Sequence, residues 1–168
     1  MKRHWELPSV VLVLAAWCGS TVLADAVPEV TVRVAVEREV TKTGDDGQQL
    51  RYREPVRDAT PGDVLVYTLT ATNVGDAVAL NAALKDPIPA GTVLLVESVQ
   101  RENQRVRASV DGGRTWQNFP ATVRRPLPEG GFEIVPAPAE AYTDLSWVLD
   151  GRFEAGATRQ VSFKVEIR

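Results

Sequence analysis

The densest grouping of chemistry-bearing side chains in this sequence is Ser109-Val110-Asp111-Gly112-Gly113-Arg114-Thr115-Trp116. Two hydroxyls flank a carboxylate, a glycine pair follows it, and an indole closes the run. At this spacing Asp111 can accept backbone N–H bonds across the Gly112-Gly113 turn while Trp116 packs beneath the hairpin. That chemistry shapes a backbone; it does not turn over a substrate. A Ser–Lys nucleophile would need Lys42, Lys85 or Lys164, and none lies in a recognisable nucleophile motif. Asp45-Asp46, Asp111 and Asp144 offer oxygen ligands of the kind that suits calcium. None has the dense acidic spacing of a calcium loop, and Asp beside Gly is what a turn selects on conformational grounds. Paired carboxylates could hydrolyse a glycosidic bond, yet no spacing in the sequence brings two of them together. No enzyme activity, metal or other cofactor is expected.

The single histidine, His4, and the single cysteine, Cys18, both fall within the first two dozen residues. Those residues read as a secretory leader: Lys2 and Arg3, an apolar run from Val10 to Trp17, then small residues ending at Val22-Leu23-Ala24. The run is well short of the roughly 20 residues a membrane helix needs, so no membrane span is expected. Cleavage is expected after Ala24, with Ala26 as the second choice. Lipid attachment at Cys18 is disfavoured because bulky Trp17 stands where a small residue is required. Loss of residues 1–24 leaves about 144 of the 168 residues, enough for one compact domain at 25–168. That body would carry no thiol and no imidazole, which removes Ser–His–Asp, Cys–His and His-bearing zinc chemistry. It would hold together by its core, without disulfides. The net charge of −3 becomes −4 once Lys2, Arg3 and Glu6 are gone, and a mildly acidic, mixed surface argues against nucleic acid as a partner.

Strand signals dominate the rest. Val30, Val32, Val34 and Val36 alternate with polar or small residues, the period of a half-buried strand. A turn at Gly44–Gly47 leads to a return strand from Leu50 to Val56. Val64 to Thr72 reads as a central strand whose Leu65, Tyr67, Leu69 and Ala71 share the core face. Further strands are expected over Ala77–Lys85, through Val93, Leu95 and Val99, over Val106–Val110, near Trp116–Phe119, near Phe132–Val135, over Leu145–Leu149 and over Gln160–Ile167. Pro126, Pro128, Gly130-Gly131, Pro136 and Pro138 mark a loop-rich stretch. No segment presents an amphipathic helix. Many short strands with regular turns predict an all-β antiparallel sandwich.

Pro61-Gly62-Asp63, Tyr67-Thr68, Asn73-Val74-Gly75 and Asp86-Pro87-Ile88-Pro89-Ala90-Gly91 together resemble the bacterial conserved repeat domain family, domain of unknown function 11. Trp147-Val148-Leu149, Gly156 and the alternation Val161, Phe163, Val165 are similar to that family's closing strands. The resemblance implies an immunoglobulin-like β-sandwich on exported, surface-associated proteins, and it implies no activity. Ser109, Asp111, Gly113, Thr115 and Trp116 also match all five fixed positions of the Asp box, a hairpin motif of sialidase-like propellers. A propeller needs several four-stranded blades and a much longer chain, so the motif is expected to act structurally here.

The expected role is therefore protein–protein contact in the bacterial envelope, by a protein that is periplasmic or secreted. The contact would use a sheet edge or the loops around Asn118–Pro138. The partner would be another envelope protein, and the alternative is a carbohydrate held on aromatic rings. Trp116, Phe119, Phe132, Tyr142 and Trp147 are the rings available. Trp147 and Trp116 are expected to pack inside, whereas Phe119 and Phe132 are the candidates for ligand or partner contact.

Overall fold

A computed structural model of the chain describes residues 26–101, 104–149 and 151–168. Residues 1–25, which hold His4, Cys18 and the expected leader, lie outside the described residues. Thirteen strands follow one another among the described residues: β1 (Val30–Thr43), β2 (Gln49–Pro55), β3 (Val64–Asn73), β4 (Ala79–Leu80), β5 (Ala83–Pro87), β6 (Thr92–Leu95), β7 (Arg105–Ser109), β8 (Gln117–Asn118), β9 (Thr122–Pro126), β10 (Phe132–Pro136), β11 (Asp144–Val148), β12 (Arg152–Phe153) and β13 (Thr158–Ile167). The helical elements among these residues are two short 3-10 turns, Val96–Ser98 and Ala139–Ala141. The fold is all-β.

Two antiparallel sheets carry the core. One has the order β2-β1-β3-β13-β6 and the other β5-β11-β7-β8, while β9 with β10 and β4 with β12 form two-stranded ribbons. Leu65, Tyr67, Leu69 and Ala71 of β3 all lie in the shared hydrophobic cluster, as the period-2 pattern of that strand requires. The two sheets meet at a run of rings. Tyr67 stacks on Phe163 at 5.1 Å between centroids, and Phe163 on Trp147 of the opposite sheet at 5.8 Å. The buried Trp147 also donates its indole N–H to the carbonyl of Gln100 at 3.0 Å. This satisfies the one polar atom that burying an indole would otherwise leave unpaired.

Four expectations require correction. The strand expected over Ala77–Lys85 is broken at Asn81, whose φ is +54°. Asn tolerates this left-handed conformation better than most residues, and it lets the chain leave β12 at β4 and join β11 at β5. The strand expected through Val93, Leu95 and Val99 ends at Leu95; Leu94, opposite Val165, joins the core cluster, and Val93 is buried as well. The chain then leaves the strand through Val96–Ser98, so Val99 reaches the core from a turn. The proline-rich stretch holds a strand that the breakers concealed. Pro126 and Pro136 lie at the last positions of β9 and β10, where a missing N–H costs little. Val66 is buried although its parity places it on the outer face. The Lys164–Glu39 ion pair, from the strands on either side, spans β3 beside it.

Candidate functional site

The Ser109–Trp116 turn is built from its own side chains. Asp111 accepts from the Thr115 backbone N–H at 2.9 Å, the Thr115 hydroxyl at 2.6 Å and the Ser109 hydroxyl at 2.8 Å. The Ser109 hydroxyl oxygen accepts in turn from the Gly113 N–H at 2.9 Å. Gly112 and Gly113 both take positive φ, +74° and +77°, the conformation that makes glycine the residue of choice there. The Trp116 indole donates to the Gly113 carbonyl at 3.1 Å. Donors surrounding the carboxylate, Thr115 foremost, hold Asp111 down at about 2, well below the usual carboxylate range. The side chains of Ser109, Asp111, Thr115 and Trp116 all bond within the turn itself.

Asp86 and Asp144, the two carboxylates with buried, unpartnered oxygens among the described residues, do not face one another. Burial pushes Asp86 up to about 7, and one of its oxygens is buried without a hydrogen-bond partner, as is one of Asp144. Asp86 stands opposite Leu145, which faces the core, whereas Asp144 is the next residue along β11 and points to the other side of that sheet. The two acids are separated by the sheet itself. Among the described residues no group of three or more His, Cys, Asp or Glu side chains could hold a metal ion.

The aromatic candidates are scattered. Trp147 and Tyr142 are buried. Phe119 was expected on the surface, but it packs partly against the core and lies 5.7 Å from the Tyr142 ring. The Tyr142 hydroxyl fixes this corner by accepting the Ala121 N–H at 3.1 Å. Trp116 is half-buried beneath its turn, with the Lys85 ammonium 5.3 Å from the ring. Phe132 is the exposed ring of the five, at 51%. It projects from the β9–β10 hairpin on the same face as Ile134, and the Arg124 guanidinium lies 3.2 Å from its centroid.

The more complete feature is an open sheet edge. β1 has 14 residues and β2 only 7, and β2 pairs with β1 from Glu37 to Thr43. Over Val30–Val36, β1 has β3 on one side and no strand on the other among the described residues. The Val74 N–H donates to the Glu29 carbonyl at 2.7 Å, which sets the alternation of the ladder. Thr31, Arg33 and Ala35 turn their backbone groups toward β3, and Val30, Val32, Val34 and Val36 turn theirs outward. Val34, on the inner face, remains 42% exposed because no further strand covers it. The sequence pattern contained this strand but not its unpaired half. An alternation running from Val30 to Val40, answered by a seven-residue return from Leu50 to Val56, was the available signal.

No family model, curated protein or solved structure matches this chain. No helix among the described residues is long and apolar enough to cross a membrane.

Proposed function

We propose that this chain is an exported, non-catalytic, immunoglobulin-like β-sandwich of a bacterial envelope that acts by protein–protein contact along the β1 edge. The observation that carries this reading is the row of outward backbone groups from Val30 to Val36, beside a half-exposed Val34. Such an edge is a template for an added strand. Main-chain bonds supply the affinity, and alternate side chains supply the selectivity. The immunoglobulin-like reading draws support from how the chain passes between the two large sheets, from β3 to β5, back to β6, across to β7 and β11, and home to β13. The family resemblance and the leader support export.

A photo-crosslinking residue at Val34, with a control at Arg125, tests the contact in the cell that makes the protein. Adducts at position 34 and none at 125 are expected. Absence of adducts at 34 overturns the reading, and hydrolase activity in the pure protein overturns its non-catalytic part. N-terminal sequencing tests export: a first residue of Asp25 or Val27 is expected, and a retained Met1 counts against it.

A further inference from the structure

The outer face of the open edge carries Glu29, Thr31 and Arg33 at alternate positions, all on the side away from the core. Glu29 and Arg33 are exposed, and neither side chain has an ion-pair or hydrogen-bond partner among the described residues. Two opposite, unpaired charges thus stand symmetrically about one threonine. That arrangement is its own complement when the strand is reversed. We propose that two copies of this chain pair antiparallel along β1, about a two-fold axis at Thr31, and so join two five-stranded sheets into one sheet of ten strands. The inference rests on the edge reading above and names its occupant.

In this register Arg33 of each copy stands opposite Glu29 of the other, and Thr31 opposite Thr31. Val30 faces Val32 of the second copy, and both present outward N–H and C=O groups, so each such pair can exchange two hydrogen bonds. Val34 faces Pro28 of the second copy. Its N–H can reach the proline carbonyl, and Pro28 has no N–H of its own to leave unsatisfied. The neighbouring registers are poorer. An axis at Arg33 sets guanidinium against guanidinium and drives Glu29 toward Glu37, where β2 already occupies the edge. An axis at Val32 places Arg33 opposite Thr31 and Glu29 opposite Ala35, which leaves both charges unmatched. Charge pairing and the position of β2 therefore select the same alignment. An isologous two-fold contact of this kind closes on itself.

Sedimentation of the full chain over a range of concentrations tests the pairing. A reversible dimer is expected. Arg33→Glu and Glu29→Arg should each raise the dissociation constant about tenfold, because each replaces two symmetric attractions with two repulsions. The double swap E29R/R33E should bring it back to within about threefold of the original. Val32→Pro removes an outward N–H while sparing the ladder to β3, and it should yield a folded monomer with a lower melting temperature, because Val32 packs partly against the core. Register is read separately in a Cys18→Ser background. Thr31 would form a non-hydrogen-bonded pair with its counterpart, with Cα atoms about 4.5 Å apart, within the roughly 4.4–6.8 Å that a disulfide spans. Thr31→Cys should therefore give a disulfide-linked dimer, and Val34→Cys should not.

A chain that is monomeric at every concentration overturns the inference, as does a dimer indifferent to the reversals or a swap no better than the single changes. A monomeric chain whose position 34 crosslinks to a different protein leaves the edge reading standing and removes self-pairing alone. A chain with neither a dimer nor any adduct loses both.

Discussion

The side-chain amide of Asn73 donates to the carbonyl oxygen of Phe153 at 2.8 Å, tying the end of β3 to β12 across 80 residues of sequence. The same amide donates to the Ala77 carbonyl at 2.7 Å, and its oxygen accepts from the N–H groups of Glu29 and Gly75. Asn73 is fully buried, so each of these bonds replaces one that water cannot supply. The start of β1, the turn after β3 and the short β4–β12 ribbon are all fastened at this one side chain.

Asn73→Ala would remove the bonds to the Ala77 and Phe153 carbonyls and to the Glu29 N–H, while the Gly75 N–H keeps the Glu29 carbonyl at 3.3 Å. A loss of about 3 kcal/mol in unfolding free energy is expected. Asn73→Asp should be no gentler, because it sets a carboxylate oxygen against the Ala77 and Phe153 carbonyls. Denaturant titration of both variants checks this, and a loss below about 1 kcal/mol would contradict the fastening role.

Gly75 is required by close approach. A Cβ there would lie 2.2 Å from the Val27 carbonyl oxygen and 2.5 Å from the Glu29 nitrogen, both backbone atoms. Gly75→Ala must push residues 27–29 away from the turn, at about 1–3 kcal/mol. Hydrogen exchange should show the Glu29 and Val30 amides losing protection first. Unchanged protection there would remove the explanation.

Asp86 makes stability fall as pH rises. Its folded value of about 7 lies above the ordinary 3.8 because burial disfavours the charged form. The unfolded chain therefore gives up this proton first. The contribution is fully present below about pH 4, and it is lost progressively up to pH 7. Asp86→Asn should leave stability at pH 4 nearly unchanged and raise it at pH 8, by on the order of 3 kcal/mol. Equal melting temperatures for the two proteins at pH 8 would refute the assignment.

Asp111 works in the opposite direction. Its folded value is depressed to about 2, so its contribution is present above the ordinary carboxylate range and disappears as pH falls through 2. Asp111→Asn should lower the melting temperature at pH 6 and converge on the unmodified protein near pH 2. A constant gap across that window would mean that the charge on Asp111 is not what holds the turn.

Local patterns made much of this molecule legible. The core face of β3 follows from alternation at Leu65, Tyr67, Leu69 and Ala71, because a pleated strand leaves each side chain only two directions. The Asp111 turn follows from residue types whose hydrogen-bonding reach spans only a few positions. Phe119 reads as a loop residue because proline and glycine nearby signal a loop, while its partial burial depends on Tyr142, which is 23 residues distant in sequence and 5.7 Å away in space. β9 was missed for a related reason. Prolines at strand ends look the same in sequence as prolines that prevent a strand.

By itself, then, the amino-acid order determined the strand-rich character, the turns, and the lack of thiol and imidazole beyond Cys18 and His4. Those properties depend on residue type and near neighbours. Only the tertiary structure decided that β2 stops at Pro55, opposite Glu37, leaving Val30–Val36 without a neighbour. It likewise separated Asp86 from Asp144 by a sheet, and brought the Asn73 amide to Phe153. Each of these depends on which strand lies beside which, and pairing between distant segments is set by how the whole chain closes its core.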